Sequence, residues 1–331
     1  MIDTIYFEEN LLPNLRVQEI LKRFPNAHRV ACDYYGEVFN PKAQNFRLQK
    51  ENPALILANK TGSLVLPAPS EYAIGGTRNF YFSHMLNCPY DCRYCFLQGM
   101  YRSAHYVLFV NYEDFQDAIL KKISEFPEEE IYFFSGYDCD SLAFESVTNF
   151  LESFLPFFES HPNTYLELRT KSAQVSSLLS RKPVQNCIAA FSLAPEKINR
   201  SLESKTPSIE ARLQSIQALQ MSGWKIGLRF DPVIYCADYA GEYAQLFKRA
   251  FEMVDANRLH SVSLGLFRLP KPIYETMHRL YPDEKLFAGP IEERSGMCSY
   301  PKELEHQVYE FCLKELSRYI PAQKTFSCVI V

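Results

Sequence analysis

Beyond residue 76 the chain alternates between strand-like and helix-like segments, and this alternation constrains its fold more than any other feature. Short apolar runs rich in aromatic and β-branched residues occupy 78–83, 131–135, 165–169, 188–193, 225–231 and 261–267. Amphipathic stretches at 112–126, 144–160, 173–179, 207–221 and 243–255 lie between and after them. Strands that each lead into a helix predict βα repeats on a parallel sheet, and right-handed crossovers let such a series curl toward a barrel. We therefore expect an α/β fold built on a full or partial, TIM-like (β/α)6 barrel. The helix over 207–221 has the fullest set of boundary signals. Thr206 suits the N-cap, Pro207 the first helical position and Gly223 the left-handed position after the last turn.

The first 75 residues read as a smaller α+β accessory unit. A short helix is expected over 13–24, with Val17, Ile20 and Leu21 on one face, and a hairpin over 54–66 turning at 59–62. Pro67, Pro69, Gly75 and Gly76 mark the boundary. The core is expected over 76–290. A C-terminal element over 291–331 follows, with a helix at 301–319 and an apolar tail at 326–331. Residues 103–111 look extended and read as an insertion.

Just past the first strand run stands Asn87-Cys88-Pro-Tyr-Asp-Cys92-Arg-Tyr-Cys95-Phe-Leu-Gln98. The face beyond the C-terminal strand ends is where parallel α/β proteins build their sites. Thiolates are the soft ligands that iron–sulfur clusters need, and C-x3-C-x2-C offers three for a four-iron, four-sulfur (4Fe–4S) cubane. One iron is then left for an exchangeable small molecule. Zinc is the rival metal, but it wants four ligands, and His84 or a distant cysteine would have to complete its set. The remaining cysteines, at 32, 139, 187, 236, 298, 312 and 328, are scattered and read as buried thiols of a reducing compartment, with Cys139 the exception taken up below.

Composition excludes several classes. Hydrophobic residues make up 47% and charged residues 22% of the chain, as in ordinary globular proteins. No apolar run reaches membrane-spanning length, and acids near the N-terminus oppose a signal peptide, so a cytoplasmic location without membrane attachment is expected. A net charge of −4 argues against bulk coating of nucleic acid. Residues 169–229 nevertheless carry ten Lys and Arg against three Glu, enough for a local surface that meets a phosphate backbone.

Together these motifs resemble the radical S-adenosylmethionine (SAM) superfamily and, within it, the spore photoproduct lyase family. The closer resemblance rests on the cysteine run, on Ser135-Gly-Tyr-Asp-Cys139-Asp140-Ser-Leu, on Arg169-Thr-Lys171, on Phe191-Ser192-Leu and on Gly223-Trp-Lys-Ile-Gly-Leu-Arg229-Phe-Asp231-Pro. It implies a barrel of the radical SAM type in which Cys88, Cys92 and Cys95 hold the 4Fe–4S cluster. SAM on the open iron would be cleaved reductively to a 5′-deoxyadenosyl radical. Ser135 and Gly136, Lys171 and Ser192 would contact SAM, and Tyr94 would pack beside the cluster. A flavodoxin- or ferredoxin-type electron donor and a DNA or nucleotide-like substrate are the implied partners. Tyr90, Tyr94, Phe96 and Trp224 are candidates for an aromatic substrate pocket, and Arg229 with Asp231 for an ordering ion pair.

Two positions depart from the family pattern. The lyase uses a cysteine after the second strand as hydrogen donor, and the resemblance places Gly136 there, with Cys139 three residues further on. It also uses two tyrosines flanking the last cluster cysteine; here Tyr94 is retained and Phe96, which has no phenolic hydrogen, replaces the other. The expectation is an enzyme that makes the same radical without splitting spore photoproduct by the known route, Tyr94 and Cys139 being its candidate catalytic residues. The alternative is a non-catalytic iron–sulfur or zinc protein that binds nucleic acid or senses redox state.

Overall fold

The computed structural model describes residues 2–328. Six strands match the six apolar runs: β1 (Arg78–Phe82), β2 (Ile131–Phe134), β3 (Thr164–Thr170), β4 (Cys187–Ser192), β5 (Lys225–Val233) and β6 (Leu259–Leu266). Each pairs in parallel with the next, in registers such as Arg78 to Ile131, Thr164 to Ile131 and Ile188 to Lys225. The near-continuous apolar sequences follow from burial on both faces, and every residue of β2 and β4 is buried. The sheet curls into the expected half-barrel. Val65–Pro67 joins the β1 edge antiparallel, and Thr325–Ser327 joins the β6 edge in parallel. Of the predicted apolar tail, residues 329–331 lie outside the described residues.

Helices cover the convex face of this sheet, and much of the chain's stock of 21 tyrosines and 25 phenylalanines fills the space between. Phe82 on β1 stacks on Phe154 at 5.3 Å, and Phe154 on Phe150 at 4.3 Å, both from the helix Phe150–Glu159. The predicted helix over 144–160 is in fact two, because Asn149 takes a left-handed conformation (φ 47°) between Glu145–Thr148 and Phe150–Glu159. The predicted Thr206 cap is displaced by two residues. Ser208 caps the helix Ile209–Met221 by accepting from the Ala211 amide, while Thr206 hydrogen-bonds Asn199 and Arg212 instead. Gly223 has the left-handed φ its sequence position called for.

The expected hairpin over 54–66 does not form. Leu55–Ala58 is wholly buried and lies inside a second sheet, ordered His28–Cys32, Thr4–Glu8, Leu55–Ala58, Tyr106–Phe109, Met85–Leu86, whereas Val65–Pro67 belongs to the barrel sheet. Four apolar residues buried on both faces require neighbours on both sides, which a hairpin alone cannot supply. The extended segment near 103–111 is thereby explained, since Tyr106–Phe109 is the neighbour, paired in parallel with Leu55–Ala58. This arrangement positions the site. The cysteine loop hangs between Met85–Leu86 and Tyr106–Phe109, the last two strands of this second sheet.

Candidate active site over the cysteine loop

Three anchors shape the cysteine loop. Asn87 opens it in the left-handed conformation (φ 65°), which Asn tolerates better than most residues, and donates through Nδ2 to the Ser103 and His105 carbonyls. The Cys88 carbonyl accepts from Lys50 Nζ at 2.8 Å. Asp91–Cys92 pairs antiparallel with Glu203–Ser204, and the Arg93 amide donates to the Leu202 carbonyl at 2.7 Å. So held, Cys88, Cys92 and Cys95 all line one cavity of about 460 Å³ at the C-terminal ends of the barrel strands. Tyr94, Gly136, Cys139, Lys171 and Ser192 line the same cavity. Ser135 does not. Its hydroxyl is spent on Ser141 Oγ (2.9 Å) and the Glu167 carbonyl (3.1 Å). Gly136 is required by its neighbours as much as by any ligand, since a Cβ there would stand 2.8 Å from the Arg169 carbonyl oxygen and from Ser141 Oγ.

Burial pushes the Cys88 thiol up to about 12, the Cys92 thiol well above its ordinary value and the Cys95 thiol upward as well. One buried and two half-buried thiols without disulfide partners, flanked by the Lys50 and Lys171 ammoniums, suit a soft metal group that would bind them as thiolates. Among the described residues no three His, Cys, Asp or Glu side chains gather around a point suited to one metal ion. A cubane asks less of three separated thiols than a single zinc ion does, because it takes each thiolate on a separate iron.

The sequence reading missed the carboxylate behind Tyr94. The phenol donates to Glu203, which also accepts from Arg212 at 2.5 Å and Asn199 at 3.0 Å. Glu203 and Arg212 are fully buried, and Arg212 further donates to the Ser192 carbonyl at 3.0 Å. Burial opposes the Glu203 charge, but Lys171 and Arg212 overcome it and hold the carboxyl below its usual value. Lys171 Nζ lies 5.5 Å above the Tyr94 ring. A single Arg on an otherwise apolar helix face, between Ile209 and Leu213, is the only sequence trace of this network. Asp140 is a second anchor. Its carboxylate accepts from Thr170 Oγ1 and the Lys171 amide, each at 2.6 Å, and from the amides of Leu142 and Ala143. That joins the loop after β2 to the end of β3.

Cys139 sits in that loop, 6% exposed, with Sγ 3.7 Å from the Ser135 carbonyl. The strand stops at Phe134, so the three-residue offset from Gly136 does not carry Cys139 out of the cavity. Phe96 lines the cavity with its ring centroid 5.7 Å from that of Tyr137.

Three expectations need correction. Arg229 and Asp231 do not pair; Arg229 meets Glu167 at 2.8 Å and Asp231 meets Arg268 at 3.0 Å, each reaching another strand or the segment beyond it. Trp224 is 2% exposed inside the core and lines no part of the cavity, although Tyr90, Tyr94 and Phe96 do. Six of the ten basic residues in 169–229 are buried, paired or turned to the cavity, so the stretch is not one exposed basic face. Arg212 and Arg229 are buried in ion pairs, Arg169 and Lys171 face the cavity, and Arg181 and Arg200 pair with Glu152 and Glu196.

No helix among the described residues is long and apolar enough to cross a membrane. The family model described as spore photoproduct lyase matches residues 69–317. A spore photoproduct lyase of Clostridium acetobutylicum is 23% identical, over 96% of this chain and 96% of its own length. That of Bacillus subtilis strain 168 is 23% identical, over 97% and 96%. Among solved structures, a spore photoproduct lyase double mutant with bound AdoMet and dinucleoside spore photoproduct superposes with a TM-score of 0.86 at 18% identity, covering 100% of this chain and 99% of that one. A spore photoproduct lyase complexed with dinucleoside spore photoproduct gives 0.83 at 20% identity, with the same coverage. Likeness at such identities carries the fold, and the match over most of the chain carries the descent. The chain belongs to the spore photoproduct lyase family and is thus a lyase-like radical SAM enzyme.

Proposed function

We propose that Cys88, Cys92 and Cys95 hold a 4Fe–4S cluster with SAM on its open iron, and that the substrate is a thymine dinucleotide lesion of the spore photoproduct kind. The observation that carries this reading is the convergence of the three cysteines with Cys139, Lys171 and Ser192 on one cavity. When bound and reduced, the cluster supplies the electron that cleaves SAM to methionine and a 5′-deoxyadenosyl radical, which takes a hydrogen atom from the substrate. Lys171 offers an ammonium to the SAM carboxylate, and Ser192 a hydroxyl. Asp140 fixes the loop that carries Cys139 relative to Lys171.

Cys139 returns a hydrogen atom to the product radical. Its place in the cavity supports reading it as a stand-in for the donor cysteine that Gly136 lacks; Phe96 leaves the other departure standing. Without a phenol at position 96, 5′-deoxyadenosine leaves as a product, and the Cys139 thiyl regains its hydrogen as an electron from the flavodoxin- or ferredoxin-type donor plus a proton. SAM is then consumed, one molecule per turnover. The accessory unit of residues 1–75 steadies the cluster loop through Lys50 and shares its sheet with Met85–Leu86 and Tyr106–Phe109 of the catalytic core of residues 76–290, to which Val65–Pro67 in turn adds an edge strand. The solved spore photoproduct lyase structures that hold dinucleoside spore photoproduct support the substrate class.

The test is anaerobic reconstitution with iron and sulfide, reduction, and incubation with SAM and a spore photoproduct dinucleotide. The expected result is 5′-deoxyadenosine with repaired dinucleotide, and for Cys139→Ser, 5′-deoxyadenosine without repair. Repair undiminished in Cys139→Ser removes that residue's role, and no 5′-deoxyadenosine from iron-replete protein with this substrate contradicts the reading as a whole.

A further inference from the structure

The cavity has a second charged end that neither the cluster nor the SAM contacts employ. Arg169, at the end of β3, and Arg268, just past β6, both line it. The charges that dominate these two guanidiniums are Glu167 and Asp231, whereas Lys50, Lys171, Glu203 and Asp140 stand beside the three cysteine thiols. Arg169 uses only Nε internally, on Glu167 at 2.9 Å, and Glu167 is shared with Arg229 at 2.8 Å. Arg268 spends its terminal nitrogens on Asp231 and the Leu266 carbonyl. Its Nε is buried and has no partner, on a side chain only 10% exposed. A missing side chain at Gly265 makes the room, since a Cβ there would stand 2.7 Å from Asp231 and 3.0 Å from Arg268.

Three guanidiniums therefore share two carboxylates, which leaves one positive charge beside the cavity, and the Arg169 terminal nitrogens and Arg268 Nε have no protein acceptor among the described residues. A buried donor without an acceptor is costly, and a cationic surplus in a partly desolvated site favours an anion. Aromatic rings flank it. Tyr72 lies under Arg268 at 5.3 Å, and Tyr137 stacks on Tyr81 at 4.3 Å while facing the cavity. Planar guanidinium donors beside aromatic faces suit a phosphate joined to a base.

We infer that Arg169 and Arg268 form a subsite for the internucleotide phosphodiester of the substrate, with Tyr72 and Tyr137 against its bases. The assignment rests on the nucleotide reading above and deepens it, since the ligand carries a bridging phosphate that a dinucleoside lacks. Positive charge here selects a nucleotide lesion still within a strand over the excised nucleoside pair.

The test is calorimetric binding to cluster-loaded protein, at fixed ionic strength, of thymidylyl-thymidine and of its uncharged methylphosphonate isostere. The charged ligand is expected to bind about tenfold tighter or better, in line with a charge-assisted hydrogen bond. Inorganic phosphate should compete with it. Arg268→Lys should keep part of the preference, and Arg169→Gln combined with Arg268→Gln should erase it. Equal affinities in the unaltered protein, or a preference that survives the double substitution, overturns the subsite. So does loss of SAM binding in Arg268→Lys with the phosphate preference intact, which would assign the cation to the SAM carboxylate. Iron content read on the same preparation tests the cluster separately, so the two readings fail apart.

Discussion

Tyr94 gives its phenolic hydrogen bond to Glu203, so the aromatic residue between the last two cluster-loop cysteines is tied to a carboxylate buried on the far side of the cavity wall. The tie links the loop to the helix Ile209–Met221 through Arg212 and to the end of β4 through the Ser192 carbonyl. Loop and barrel are thereby fixed to each other.

Removing the carboxylate charge should be far more damaging than removing the phenol. Glu203→Gln leaves the Arg212 guanidinium buried without its counter-ion and should cost about 3–5 kcal/mol of stability. Tyr94→Phe keeps that ion pair and loses one hydrogen bond to a charged group, about 1–3 kcal/mol. Denaturant unfolding of the two variants checks the order, and equal losses would show that the pair is not the anchor.

Asp140→Ala should weaken SAM binding while sparing the fold. It removes two hydrogen bonds that hold the Cys139 loop to Lys171 and the end of β3, and two more that shape the loop itself. A SAM dissociation constant raised about tenfold or more, with an unchanged far-ultraviolet circular dichroism spectrum, is the expected outcome. Native affinity in the variant would refute the positioning role.

Much of this architecture could be read from residues alone, and the parts that could not share a physical cause. The β1–β6 runs were legible because strands buried on both faces must be apolar throughout. The cysteine loop was legible because its spacing is local. Leu55–Ala58 was misassigned because its partner, Tyr106–Phe109, lies some fifty residues away and pairs in parallel, which no turn signal announces. Glu203, Arg212 and Arg268 went unseen for a related reason. Each looks like a solvated charge in the chain, and Arg268 becomes cavity wall, with Glu203 and Arg212 a buried pair behind Tyr94, only when distant strands and helices meet. Ser135 failed in the opposite direction, since a hydroxyl at the right strand end was already engaged by its neighbours.

A pH dependence follows from His84. The ring is 2% exposed, stacked on Phe150 at 4.1 Å, and its Nδ1 has no partner. Burial, helped by the Lys60 charge, pulls its pKa from 6.5 down to about 3. The folded state therefore prefers neutral imidazole. Its stability contribution is complete above about pH 6.5 and declines as pH falls toward 3, by up to about 1.4 kcal/mol per pH unit. His84→Phe retains an aromatic stack and should flatten the unfolding free energy between pH 6 and pH 4 by up to one proton's worth. An unchanged slope would place the acid sensitivity elsewhere.

Phe96→Tyr should restore a phenol beside the cluster loop, on the cavity wall and near Tyr137. If its absence is why SAM is consumed, the variant should release less 5′-deoxyadenosine per repaired lesion than the native chain. Counting both products in one reaction checks this, and an unchanged ratio would show that the ring at 96 does not govern the hydrogen return.

The central claim is that three thiolates share one cluster and leave an iron free. Electron paramagnetic resonance of the reduced protein, reconstituted to four irons per chain and recorded with and without SAM, tests it most directly. The account predicts a 4Fe–4S signal that shifts when SAM is added and is lost in Cys88→Ala, Cys92→Ala and Cys95→Ala alike. A signal indifferent to SAM, or one that persists when any of these cysteines is removed, would contradict it.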